Sequence, residues 1–258
     1  MSTHRLPRQA GRHLLVTGAG TGIGRAIAVR LAEEGATLSL LARNVDRLRA
    51  TAEAVGGAAI VSADIRDRAA VDAAVAALVA QKGPLHGVIA NAGIGGPNAP
   101  GPGDRFDDIV QTNLMGTYAT LRAVQRHLAP GPATRHMVVI ASILGRIGVP
   151  GYTGYCASKT ALVGLARAMA MELAGDEVLV NAVCPGWVDT DMARQGIEGM
   201  ADAMGIDFEA ARAEAMSAVP LGRMSQPDHI AGLVAWLLSE DAAGVTGQAL
   251  DMNNGAWM

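Results

Sequence analysis

Six short apolar runs, at residues 14–17, 37–42, 58–62, 85–90, 136–141 and 178–183, divide the chain at near-regular intervals, with glycine, proline or aspartate around them. Runs of this length and apolarity suit strands buried on both faces. Between them, residues 24–34, 46–54, 68–81, 106–128 and 155–173 repeat apolar positions every three or four residues, which is helical periodicity. Parallel neighbours need a crossover, so this alternation predicts a parallel sheet with helices on both faces. A last unit, a helix from near Pro227 and a short strand at 248–251, brings the expected count to about seven strands in a doubly wound, Rossmann-type α/β fold.

The 258 residues are half apolar and only 17% charged, enough for one large core, so a single domain over 1–258 is expected. Residues 192–219 break the rhythm. They carry Met192, Met200, Met204, Phe208 and Met216 among Ala, Glu, Asp and Arg, and read as one or two amphipathic helices inserted before the last unit. The net charge is −3 with scattered basic residues, which argues against a nucleic-acid partner. Cys156 and Cys184 lie in small or apolar surroundings without ligand-spaced neighbours, so they read as reduced thiols rather than a disulfide or metal site. Residues 1–12 are polar and basic and lack a signal-type apolar run, and no stretch approaches the ~20 residues of a membrane span. A cytoplasmic protein is expected.

The first apolar run leads directly into Gly18-Ala19-Gly20-Thr21-Gly22-Ile23-Gly24 and then into a helix. Glycines there remove the Cβ atoms that would obstruct a pyrophosphate, and the helix directs free N–H groups and its positive end at it. The second run ends Leu40-Leu41-Ala42-Arg43-Asn44 and offers no carboxylate for a ribose 2′-hydroxyl. Arg43 can instead form a charge-assisted fork with a 2′-phosphate, so NADP(H) is preferred, with NAD(H) possible.

These residues, with Asn91-Ala92-Gly93, Tyr155-Cys156-Ala157-Ser158-Lys159, and Pro185-Gly186 followed by Val188 and Thr190, resemble the short-chain dehydrogenase/reductase family over nearly the whole chain. The resemblance implies that Gly18, Gly20, Thr21, Gly22, Ile23 and Gly24 hold the cofactor, that Asp64 and Ile65 flank its adenine, and that Asn91, Ala92 and Gly93 line it. It further implies that Thr190 touches the carboxamide, with Pro185, Gly186 and Val188 alongside, and that Tyr155 and Lys159 also contact the cofactor. Asn113 is implied as a catalytic asparagine holding a water that links Lys159 to solvent. Ala90 departs from the family, which often has a second asparagine there. A homotetramer is also implied, built by the helices at 106–128 and 155–173 and by the C-terminal segment, the second helix carrying Ala161, Gly164 and Ala168 at close-packing spacing.

Tyr155 and Lys159 are four residues apart, so on a helix they share a face. A free phenol has a pKa of about 10, and a neighbouring ammonium together with an oxidised nicotinamide is expected to lower it, letting Tyr155 act as acid or base toward a ketone or alcohol. Ser142 follows a strand at its C-terminal end, where open α/β sheets bind ligands, and its hydroxyl can hold the substrate oxygen. His86, His127 and His136 lack a nucleophile elbow and read as surface or strand-edge residues. Ile143, Leu144, Val149, Tyr152 and Trp187 make a mostly apolar pocket wall, with 192–219 as a lid. The segments 183–188, 220–223 and 247–250 look like the 3-oxoacyl-thioester and polyketide ketoreductase branch, which makes a bulky or thioester-linked ketone the expected substrate. Cyclic, steroid-like or sugar alcohols remain a second substrate class, and a silent dinucleotide-binding sensor or structural subunit a second function. Arg146, Arg194 and Arg223 are either contacts for a carrier phosphate or solvated arginines.

Overall fold

The computed structural model describes residues 8–131 and 133–258, so residues 1–7 of the basic N-terminal stretch lie outside the described residues. Seven parallel strands form one sheet: β1 (His13–Thr17), β2 (Thr37–Ala42), β3 (Ala59–Ser62), β4 (Gly87–Ala90), β5 (Arg135–Ile140), β6 (Val178–Pro185) and β7 (Ala249–Met252). Their order is β3-β2-β1-β4-β5-β6-β7. The chain therefore runs outward from β1 to β3, then returns to place β4 on the other side of β1, pairing Leu14 with both Leu38 and Gly87. Where the winding reverses, the connections leave β1 and β4 toward opposite faces and open a crevice at the strands' C-terminal ends.

Three helices cover each face. On one side α1 (Gly22–Glu33), α2 (Val45–Ala54) and α9 (Pro227–Leu237) bury Ile27, Leu31, Leu48 and Val234 against Leu14, Leu40 and Ile89. On the other, α3 (Arg68–Lys82), α5 (Thr117–Gln125) and α6 (Thr153–Leu173) bury Val75, Leu121, Leu162 and Met169 against Leu15, Val88 and Met137. Alternate residues of each central strand thus serve opposite cores, the physical reason their sequences are apolar throughout. The 192–219 insertion is a helix pair, α7 (Asp191–Met204) and α8 (Phe208–Ser217), with its own small core of Ile197, Ala201 and Ala211 packed by Trp187, Met200, Phe208 and Met224.

The expected helix 106–128 runs unbroken to Gln125 but is not α-helical throughout. It consists of α4 (Phe106–Val110), a π-helical turn at Gln111–Gly116, and α5. A β-carbon at Gly116 would sit 2.7 Å from the Ile65 side chain, so the helix passes hard against the loop after β3. The inserted residue of a π turn lets the backbone bulge there, and such bulges collect at functional sites. The strand expected at 85–90 is also shorter, because Leu85 bridges to Leu128 and regular pairing with β5 begins at Gly87. His136, read as surface or strand-edge, is only 3% exposed.

Candidate active site

The glycine turn takes the backbone where side chains cannot follow. Gly18 and Gly22 have φ of +64° and +52°, and a β-carbon on Gly24 would fall 2.3 Å from the Gly18 carbonyl oxygen. The N-cap of α1, Thr21, makes no side-chain capping bond, so the first N–H groups of that helix are not capped by it. Asn91, at the end of β4, ties the turn down: its Nδ2 donates to the carbonyls of Thr17 (3.0 Å) and Gly18 (3.3 Å), and its own N–H donates to the Thr17 hydroxyl (3.1 Å).

A cleft of about 190 Å³ opens beside this turn. Eight of the expected cofactor residues line it: Gly18, Gly20, Thr21, Arg43, Asp64, Ile65, Ala92 and Gly93. The other ten, Gly22, Ile23, Gly24, Asn91, Tyr155, Lys159, Pro185, Gly186, Val188 and Thr190, lie outside the lining. Arg47, Ile94 and Thr112 join the lining without having been foreseen. Arg47 sits four residues beyond Arg43, in the first turn of α2, and a β-carbon on Gly20 would touch its Cβ at 3.0 Å. The sequence offers Arg47 only as one of two arginines in the helix after Ala42, with nothing to mark which of them faces the cleft. Asp64 is clamped by Arg66, which also reaches Asp108 at 2.7 Å, and that hydrogen-bonded cation holds its carboxyl below the usual range. These backbone-rich walls, the uncapped helix and the exposed Arg43 and Arg47 fit the pyrophosphate and phosphorylated ribose of a dinucleotide.

Gly93 joins this cleft to the second cluster, since a β-carbon there would meet the Asn113 Oδ1 at 3.0 Å and the Lys159 Nζ at 3.7 Å. Asn113 stands in the π turn. Its Oδ1 accepts from the Ile94 N–H (2.8 Å) while its Nδ2 donates to the Ile94 carbonyl (3.0 Å) and the Ser158 hydroxyl (3.2 Å), so it pins the cleft rim to α6. That pinning is a task the sequence reading did not foresee.

Tyr155 and Lys159 share one face of α6, with the Lys159 Nζ 5.5 Å from the phenol ring centre. Lys159 is 6% exposed, and its ammonium donates to the Ile140 carbonyl at 2.8 Å. Burial pulls the Lys159 pKa down to about 8. Burial also pushes the Tyr155 phenol up, opposed by a hydrogen bond with the Ser142 hydroxyl. The expected lowering by Lys159 is not seen in the chain alone, where burial dominates at the phenol. Ser142 itself follows β5 and accepts from the Leu144 N–H at 3.1 Å, capping the 3-10 turn Ile143–Gly145.

The expected pocket wall is only partly assembled around these groups. Leu144 and Tyr152 are half-buried beside Ser142 and Tyr155. Trp187 instead packs into the core beneath α7 and α8, and Gly186 lies against Asn253 of the C-terminal segment. Thr190 caps α7, accepting from the Ala193 N–H at 3.3 Å, and its methyl group overhangs Gly22. Val188 is buried and bridges to Ser225. Arg146 pairs with Asp251 and Arg194 with Asp189. Among the described residues no cluster of His, Cys, Asp or Glu is placed to hold a metal, and no helix is long and apolar enough to cross a membrane.

The family model described as Enoyl-(Acyl carrier protein) reductase matches residues 18–256. A putative ketoacyl reductase of Streptomyces coelicolor is 38% identical over 93% of this chain and 95% of its own length. The 3-oxoacyl-[acyl-carrier-protein] reductase FabG of Vibrio harveyi is 35% identical over 96% and 98%. Among solved structures, a variant of actinorhodin polyketide ketoreductase with NADPH superposes with a TM-score of 0.89 at 36% identity, covering 95% of this chain and 97% of that one. Levodione reductase gives 0.87 at 33% identity, covering 96% and 98%. The chain belongs to the short-chain dehydrogenase/reductase family of NAD(P)-dependent oxidoreductases.

Proposed function

We propose that this chain is an NADPH-dependent ketone reductase whose substrate is a 3-oxoacyl thioester or a ketone of comparable bulk. The observation that carries the reading is Tyr155 set beside Lys159 on one face of α6, with Ser142 at the phenol, joined through Gly93 to a glycine-walled cleft bearing Arg43. The ketoacyl reductases among its relatives supply the substrate class. A silent sensor is not favoured, because the serine, tyrosine, lysine and asparagine of the site are all present and mutually packed.

NADPH bound in the cleft supplies the hydride. Ser142 and Tyr155 direct their hydroxyls at the substrate's carbonyl oxygen, and the Tyr155 proton passes to that oxygen as it becomes an alcohol. Lys159 sets the charge beside the phenol and binds the ribose hydroxyls, while Asn113 holds the rim at Ile94 in register with α6. The glycine turn and the N-terminus of α1 would hold the phosphate groups, Asp64 and Ile65 would flank the adenine, and Thr190 would meet the carboxamide, with Pro185, Gly186 and Val188 alongside. Leu144 and Tyr152 shape the substrate side, with Trp187 supporting it from beneath the α7–α8 pair. The α7–α8 pair acts as its lid, supported by the contact between Met192 and Gly95, where a β-carbon would lie 2.9 Å from the sulfur. The same reading makes the protein a cytoplasmic homotetramer. The exposed Gly164, Ala168 and Met171 on α6 and two free cysteines support it.

The test is a substrate panel. With NADPH, a 3-oxoacyl thioester is expected to exceed a ketose sugar by at least about tenfold in kcat/KM. Preference for the sugar overturns the substrate class, and absence of turnover with every ketone overturns the reaction.

A further inference from the structure

The loop between Gly93 and α4 is rich in glycine and proline, yet one of its side chains is 8% exposed and fully bonded: Asn98. Its Oδ1 accepts from the Gly154 N–H (2.9 Å) and the Thr153 hydroxyl (3.2 Å). Both belong to the first turn of α6, so the amide oxygen satisfies one of the free N–H groups that begin the helix. Its Nδ2 donates to Thr153 Oγ1 and to Asp104 Oδ1, each at 3.0 Å, and Asp104 in turn accepts from the Phe106 N–H at the start of α4. The Asn98 N–H donates to the Gly151 carbonyl at 2.7 Å.

One carboxamide therefore fastens together the beginnings of two helices. α6 carries Tyr155 one residue beyond Gly154, and α4 leads into the π turn that carries Asn113. Close packing leaves little slack: a β-carbon at Gly154 would meet the Phe106 Cα at 3.1 Å. The other end of the same loop, at Ile94, is held by Asn113. The loop is thus pinned at both ends to the helices that bear the reacting side chains.

Resting on the reductase reading above, we propose that Asn98 is a positioning residue for proton transfer, fixing the start of α6 against α4 so that Tyr155 and Asn113 keep their register. It touches neither substrate nor cofactor. It does not line the cofactor cleft, so its loss acts on turnover rather than on dinucleotide binding. Displacements of about an ångström in a reacting group cost on the order of 100-fold in rate.

The experiment compares Asn98→Ala, Asn98→Asp and the exchange pair Asn98→Asp with Asp104→Asn. Asn98→Ala is expected to lower kcat by roughly 10- to 100-fold and move the pH midpoint of kcat, with the NADPH Kd within about twofold of the parent. Asn98→Asp sets two carboxylates face to face and is expected to be similarly impaired. The exchange pair restores the bond with its polarity reversed, the amide at 104 donating to the carboxylate at 98, and is expected to recover most of kcat. A folded Asn98→Ala protein with kcat and pH profile unchanged overturns the proposal. So does an exchange pair no better than Asn98→Asp, which decides the matter if Asn98→Ala does not fold. Should the parent reduce no ketone, the reductase reading fails and amide hydrogen exchange decides on Asn98. Faster exchange at 153–159 and 111–116 in Asn98→Asp, reversed in the exchange pair, supports the positioning; no change overturns it.

Discussion

Lys159 is held at a cost to the fold. With its pKa pulled from 10.5 to about 8 by burial, the charged form is disfavoured in the folded chain by roughly 3 kcal/mol. That cost is complete below about pH 8 and fades as pH rises toward 10.5. Lys159→Met is therefore expected to raise the thermal midpoint at pH 7 by several degrees while abolishing turnover, with the gain vanishing above pH 10.5. A lower midpoint at pH 7 refutes this, and would mean that the bond to the Ile140 carbonyl outweighs burial. At the cleft mouth, Arg43→Ala and Arg47→Ala are each expected to weaken NADPH by about tenfold and leave NADH unchanged, as loss of a charge-assisted phosphate contact should. Calorimetry showing equal affinity of the parent for NADPH and NADH contradicts the assignment. Arg43 was legible in the sequence because it ends a strand. Arg47 was not, because only the packing of α2 on Gly20 shows that the helix turns it toward the same cleft.

At the scale of elements, strands β1, β4 and β5 hide a group of histidines at the N-terminal edge of the sheet. His13 Nδ1 donates to the Gly83 carbonyl (2.8 Å) and its Nε2 accepts from the Ser39 hydroxyl (2.7 Å), its backbone N–H donates to His86 Nδ1 (3.0 Å), and His136 has no partner on Nδ1 among the described residues. Burial lowers all three pKa values, that of His136 to about 3. Arg12 adds to the lowering at His86 and His136, Arg135 at His86 and Lys82 at His13, while carbonyls of Gly83, Pro84 and Leu237 oppose it. Depressed histidines bind protons only on unfolding, so stability is full above pH 6.5 and falls below it, by about 1.4 kcal/mol per pH unit for His136 alone. Urea midpoints from pH 7 to 4.5 are expected to fall steeply in the parent and less steeply in His136→Leu. Parallel slopes would exclude His136 as the cause. The sequence could not reveal this group, whose members lie 50 or more residues apart and meet only through strand order. Likewise, the 3.6-residue period across 106–128 was real, but the approach of Gly116 to Ile65 that bulges the helix is a tertiary fact.

For the whole molecule, the seven-stranded parallel sheet was legible because parallel strands buried on both sides advertise themselves as continuous apolar runs, and because Gly18 to Gly24 mark the first crossover. The pairing of Tyr155 with Lys159 was legible from helical spacing. Their electrostatics were not, since the ammonium turns to Ile140 and the phenol to Ser142 only once β5 and α6 are packed. Assembly is a whole-molecule property as well: sedimentation at micromolar concentration is expected to give four 26.4 kDa chains per particle, and a monomer there contradicts the tetramer. The central claim, that this surface reduces a ketone through one phenol, is tested most directly by following NADPH oxidation with a 3-oxoacyl thioester in Tyr155→Phe. A loss of at least ~10²-fold in kcat with NADPH affinity nearly unchanged is expected. A variant retaining more than about a tenth of the parent rate would contradict it.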